Sequence, residues 1–145
     1  MDVYTAESEN DLADIARALA THVHAGTIVL FDGELGTGKT TLIRSMCTCL
    51  GVSALQVKSP NFTIHNRYPS VRGTVNHFDL YRVHAEDLYD LFRDTMLNQE
   101  ITFVEWGGRF SAFFSRYGYM HITLYYGAEA DQRTIHVATY NEALV

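Results

Sequence analysis

The eight residues Gly33-Glu34-Leu35-Gly36-Thr37-Gly38-Lys39-Thr40 constrain this chain more than any other feature. They fit the pattern G-x-x-x-x-G-K-[ST] in full, in which glycines let the backbone wrap closely around phosphate oxygens. The flanks agree with the loop. The apolar run Thr27-Ile28-Val29-Leu30-Phe31 predicts a buried strand before it, and Leu42, Met46, Cys49 and Leu50 recur at helical spacing after it. Strand, glycine loop and helix together turn backbone N–H groups and the positive end of a helix dipole toward an anion. In such a loop the lysine, here Lys39, reaches the β- and γ-phosphates, and the hydroxyl of Thr40 ligates Mg²⁺.

Length and composition bound the rest. A chain of 145 residues makes one domain with a sizeable core, and its 47% apolar share is ordinary for a soluble protein. There is no apolar run of about 18 residues, so no membrane span is expected. Met1-Asp2-Val3-Tyr4 has no basic stretch followed by an apolar one, so no signal peptide is expected and the location reads as cytoplasmic. The net charge of −6, with Lys39 and Lys58 the only lysines, argues against non-specific nucleic-acid binding by this chain alone. Cys47 and Cys49 match neither C-x-x-C nor a zinc ligand set, and read as packed, reduced thiols. The seven histidines show no metal-site spacing and read as surface or hydrogen-bonded structural residues.

Along the chain, Ser8 followed by Asp11 predicts a capped helix start, with Leu12, Ile15, Ala16, Leu19 and Val23 on one face and Gly26 beyond its end. Gly51 stops the helix that follows the phosphate loop. Residues 61–68 alternate, with Phe62, Ile64 and Tyr68 on one side. Residues 74–82 form a second strand, and the turn signal at residues 69–73 joins the two as an antiparallel hairpin. Residues 85–97 read as a helix, 101–104 as a short buried strand and 108–116 as another helix. Two strands at 118–126 and 133–139 flank a turn from Gly127 to Asp131. Strands alternating with helices predict a three-layer α/β fold of the phosphate-loop NTPase kind: a mixed sheet, helices on both faces, and an antiparallel hairpin.

A phosphate loop names a nucleotide binder, not a reaction. Glu105 ends the apolar strand Ile101-Thr102-Phe103-Val104, where a carboxylate can hold Mg²⁺ directly or through water. Asp79 ends another strand and can bind metal-held water or orient an attacking one. Strand ends beside the loop form the ligand crevice of open α/β sheets. Asn76-His77-Phe78-Asp79 superficially matches the guanine-reading N-[KT]-x-D pattern, but the Lys or Thr is missing and the segment precedes the Glu105 strand, so GTP specificity is not expected. Residues 58–63 lie where nucleotide switches place a mobile loop. Trp106 is the only tryptophan and reads as core.

These residues carry a resemblance. Gly33-Glu34-Leu35-Gly36-Thr37-Gly38-Lys39-Thr40-Thr41, Val57-Lys58-Ser59-Pro60, His77-Phe78-Asp79-Leu80-Tyr81-Arg82 and Val104-Glu105-Trp106, in that order, resemble the TsaE (YjeE) family of bacterial tRNA threonylcarbamoyladenosine synthesis. The resemblance implies that residues 36–41, Thr37 and Thr41 included, cradle the phosphates of ATP. It implies that Thr40 and Glu105 hold Mg²⁺, that Asp79 is a functional acid near the γ-phosphate, and that Ser59 belongs to a switch-like loop. Trp106 lies beside the catalytic Glu105, and Glu9 approaches the nucleoside. It further implies an accessory ATPase acting with TsaD and TsaB, slow alone, and meeting tRNA only through that complex. The chain departs from the family at Asn61, where Thr is usual, and at Gly107-Gly108-Arg109-Phe110, which replaces a proline- and glycine-bearing loop.

From the residues alone two other functions stay open. A small kinase shares the phosphate loop but usually adds an arginine-rich lid, whereas the arginines here are dispersed. A nucleotide-dependent binding module would need the loop and no hydrolysis.

Overall fold

The computed structural model describes residues 1–53, 55–57 and 64–141. Seven strands form one sheet: β1 (Asp2–Ala6), β2 (Ile28–Asp32), β3 (His65–Tyr68), β4 (Val75–Asp79), β5 (Ile101–Glu105), β6 (Tyr119–Tyr126) and β7 (Arg133–Tyr140). Their order across the sheet is β1-β7-β6-β2-β5-β4-β3. The strands β6, β2, β5 and β4 run parallel, while β3 and the β7–β1 side are antiparallel. Four helices cover the sheet: α1 (Glu9–Ala20), α2 (Lys39–Cys49), α3 (Leu88–Leu97) and the single turn α4 (Ser111–Phe114).

Alternation along the strands builds two cores. Val29 and Phe31 of β2, and Ile101 and Phe103 of β5, pack with Leu12, Ile15, Ala16 and Leu19 of α1 and with Leu42, Ile43 and Met46 of α2. Ile28, Leu30, Phe78 and Val104 point the other way, onto Phe92 of α3 and Phe114 of α4. The expected three layers are therefore present, with the antiparallel hairpin at β3–β4. Both ends of α1 are fixed by polar contacts. Ser8 Oγ accepts from Asp11 N at 3.3 Å, and the Arg72 guanidinium donates to Ala20 O at 2.8 Å and Val23 O at 2.7 Å, satisfying carbonyls that a helix end leaves open.

Several expectations are corrected. The strand β1, pairing antiparallel with β7, was not anticipated. The helix expected at 108–116 is a 3-10 turn (Gly108–Phe110) followed by α4, and the helix expected at 85–97 opens with a 3-10 turn (Ala85–Asp87). Tyr68 is buried, but Ile64 lies ahead of β3 and is exposed, so it shares no strand face with Tyr68; Phe62 lies outside the described residues. On α2 the buried stripe centres on Ile43, Met46 and Leu50, which leaves Cys49 at its margin and exposed. Among the described residues, no helix is long and apolar enough to cross a membrane.

Candidate nucleotide site

The helix α2 starts at the loop that follows β2. Its N-cap is Gly38, held at φ 106°, and it has no side-chain cap, unlike α1. A left-handed backbone here needs glycine, and an uncapped first turn leaves its N–H groups turned toward the loop. Gly33 is more constrained still. At φ 146° a Cβ on it would meet Leu124 O and Thr37 Oγ1, each at 2.7 Å. Thr37 is buried and braces the loop from inside, its hydroxyl donating to Glu34 O at 2.7 Å. Arg133 Nε donates to Thr37 O at 3.0 Å from outside. The Lys39 ammonium folds back over the loop, donating to Gly33 O at 2.5 Å and Glu34 O at 3.1 Å. Burial pulls its pKa below the ordinary lysine value, against the opposing pull of the charges on Glu105, Asp32 and Asp79.

Parallel pairing of β4 and β5 sets Asp79 directly beside Glu105. Both project on the α2 side of the sheet, Asp79 four residues on from Val75 and Glu105 two on from Phe103, both of the core against α2. The Thr40 hydroxyl donates to Glu105 Oε1 at 3.2 Å, so the loop and the strand-end acid already meet. Behind them, His77 Nε2 lies 2.6 Å from Glu105 Oε2, with both side chains buried. Asp79 is only partly covered and accepts from Tyr81 N at 3.0 Å. Burial, with the nearby charge of Glu105, pushes its carboxyl pKa up; the Tyr81 N–H, His77 and Lys39 act in the other direction.

The next layer holds the loops that carry these acids. Trp106 has a left-handed backbone, φ 61°, directly after Glu105. Its ring lies 4.2 Å from Lys39 Nζ and 5.0 Å from the Tyr81 ring, a cation–π and an aromatic contact that close one wall. Arg109 Nη2 donates to Leu80 O at 2.6 Å and Val83 O at 2.8 Å, fixing the segment after Asp79. Asp32 Oδ2 accepts from Gly108 N at 2.9 Å and lies 2.6 Å from His121 Nε2, tying the segment after Trp106 to the end of β2.

A cleft of about 300 Å³ results, lined by Gly36, Gly38, Lys39, Thr40, Thr41, Asp79, Glu105 and Trp106. A side cleft of about 130 Å³ shares Gly36, Gly38 and Thr41 with it and adds Glu9, Leu12, Asp131 and Arg133. A larger cavity, about 410 Å³, lies at the opposite end of the strands, near Thr27 and Tyr119, and contains none of these groups. The structure thus brings together the loop residues Gly36 to Thr41, Asp79 and Glu105, and sets Glu9 beside Thr41. Ser59 lies outside the described residues. Sequence reasoning missed His77, Arg109, Arg133 and the Asp32–His121 pair. Of these only His77 carried a signal, since its two-residue spacing from Asp79 puts both on one strand face.

Comparison with known proteins agrees with this architecture. The family model described as "Threonylcarbamoyl adenosine biosynthesis protein TsaE" matches residues 6–135, well beyond the four segments that carried the resemblance. A Rickettsia conorii protein named tRNA threonylcarbamoyladenosine biosynthesis protein TsaE is 31% identical over 105 residues, 72% of this chain and 60% of its own length. A Streptomyces coelicolor protein of the same name is 38% identical over 100 residues, 66% of this chain and 67% of its own. The crystal structure of Bacillus subtilus YdiB superposes with a TM-score of 0.73 at 22% identity, covering 96% of this chain and 84% of that one, a likeness of fold.

Proposed function

The chain belongs to the TsaE family of tRNA threonylcarbamoyladenosine biosynthesis proteins, and from that premise we propose that it is a Mg-ATP-binding accessory ATPase. It acts with the TsaD–TsaB pair and meets tRNA only through that complex. The observation that carries this reading is the meeting of the phosphate loop with two strand-end acids. The Thr40 hydroxyl already contacts Glu105, and Asp79 stands beside Glu105 in register.

The residues fit the nucleotide and its cation. A left-handed glycine at the α2 N-cap, where a side chain would be strained, suits close approach of phosphate oxygens. Thr40 and Glu105 supply only oxygen donors, the chemistry Mg²⁺ takes, and among the described residues no cluster of three or more His, Cys, Asp or Glu side chains makes a stand-alone metal cage. That suits a cation held by one or two protein groups together with phosphates and water. When bound, Mg²⁺ neutralises charge on the β- and γ-phosphate oxygens.

The protein's own groups then divide the work. Lys39 leaves its carbonyl partners for the phosphates and supplies positive charge. Glu105 and Thr40 hold the cation. Asp79, half-buried and held by the Tyr81 N–H, orients the attacking water. Arg109 and Arg133 donate to backbone carbonyls at Leu80, Val83 and Thr37. With those guanidinium groups committed to loop structure, an arginine from a partner completes the charge clamp, so the isolated chain hydrolyses ATP slowly.

The test is ATP hydrolysis by the chain alone and with purified TsaD–TsaB, with Glu105→Gln as control. Stimulation by the pair, lost in the variant, supports the reading. Fast turnover alone that partners do not change would overturn it, and phosphate transfer to a small acceptor would make the protein a kinase.

A further inference from the structure

We propose that His77 is a positioning residue for Glu105: it fixes which oxygen of that carboxylate is presented to the cation. The inference rests on the reading of Glu105 as a metal-holding group.

His77 lies on β4, two residues before Asp79, on the same α2-facing side of the sheet. In register it stands opposite Phe103, not Glu105, so its ring reaches forward along the parallel pair to meet the carboxylate. The contact is short, 2.6 Å from Nε2 to Oε2, and the ring is fully buried. Its other nitrogen, Nδ1, is buried with no hydrogen-bond partner among the described residues. A buried polar atom left without a partner is costly, and an apolar side chain fills the same face at Val75 and Phe103. An imidazole here therefore makes one polar contact, and that contact is Glu105.

The carboxylate is consequently held from two sides. Oε2 takes the His77 N–H from behind, while Oε1 is the nearer oxygen to the Thr40 hydroxyl, at 3.2 Å against 3.4 Å for Oε2. Without the His77 contact the carboxylate could rotate about its terminal torsion, which has broad, shallow preferences. Groups that orient a ligating side chain in this way typically contribute about ten- to a hundred-fold to metal affinity.

The experiment measures metal binding directly. Mn²⁺ is titrated into the ADP-loaded protein and free Mn²⁺ is followed by electron paramagnetic resonance. ADP affinity without metal and the melting temperature are measured alongside. His77→Leu is expected to weaken Mn²⁺ binding about ten- to a hundred-fold with metal-free ADP affinity unchanged. His77→Gln, whose amide N–H reaches as far as Nε2, is expected to recover most of that loss, and His77→Asn, whose amide stops near the Nδ1 position, is not. If His77→Leu does not fold, the Gln and Asn variants carry the comparison. Equal Mn²⁺ affinity in those two, or wild-type affinity in the Leu variant, would overturn the proposal. Glu105→Gln separates the two levels. Wild-type Mn²⁺ affinity in that variant removes the metal-holding reading and this inference with it. Weakened binding there, with His77 variants unaffected, removes this inference alone.

Discussion

The Lys39 ammonium lies 4.2 Å from the centre of the Trp106 ring, so the cation of the phosphate loop rests on the residue that follows the second acid. Trp106 is the only tryptophan in the chain, which makes its emission a reporter of Lys39. Nucleotide that draws Lys39 from the carbonyls of Gly33 and Glu34 should change that emission. Lys39→Ala should shift the emission of the nucleotide-free protein and weaken ATP binding about ten- to a hundred-fold, the value of a charge-assisted hydrogen bond. A fluorescence titration with ATP checks both. An unchanged Kd would remove Lys39 from the phosphate contacts.

Asp79 illustrates a cost accepted for function. Because burial raises its carboxyl pKa in the folded protein, the folded state holds the proton more tightly than the unfolded chain. The contribution of this group to stability is therefore fully present below the ordinary carboxylate pKa and is lost as pH rises through the raised value. At neutral pH the ionised Asp79 is a liability. Asp79→Asn keeps an oxygen for the Tyr81 N–H and removes the charge. Thermal unfolding at pH 7 should show an equal or higher Tm for the variant, while ATP hydrolysis with partners is lost. Retained hydrolysis would take Asp79 out of its assigned role.

Much of this site was legible because its signals are local. Glycine spacing, an apolar strand and a helical stripe lie within about two dozen residues around Gly33 to Thr40, and each reports on its neighbours. Asp79 and Glu105 were legible as the polar ends of apolar strands. The strand β1 was not, because its stability comes from pairing with β7 at the far end of the chain, and only Ala6 of its five residues is buried. Arg133 braces Thr37 across a similar distance, and a lone arginine on a strand carries no local mark of such a partner. His77 fell under a general reading of histidines as hydrogen-bonded structural residues. That describes its contact but not the identity of the group it holds.

Gly33 should tolerate no side chain. Its φ of 146° lies where L residues are rare, and a Cβ would press on Leu124 O and Thr37 Oγ1 at 2.7 Å, one of them backbone. Gly33→Ala should destabilise by about 1–3 kcal/mol through overpacking and backbone strain. Chemical denaturation, with the slope unchanged and the midpoint lowered, checks this. A midpoint equal to wild type would mean that the loop relaxes freely.

The two cysteines should behave as opposites despite standing two residues apart. Cys47 is buried against the core, and burial pushes its thiol pKa up to about 12, whereas Cys49 is exposed. The thiolate is the reactive form, so a thiol reagent at neutral pH should modify Cys49 in the native protein and both only after unfolding. The sign of the pH effect follows from the same burial. With its pKa raised on folding, Cys47 contributes stability that is intact below the ordinary thiol value of 9.0 and lost as pH climbs toward about 12, because only the unfolded chain releases the proton. Wild type should therefore lose stability over that alkaline window more steeply than Cys47→Ala, which starts lower from its lost packing. Rapid native labelling of Cys47, or parallel alkaline slopes for the two proteins, would show that the helix α2 opens far more readily than its buried face allows.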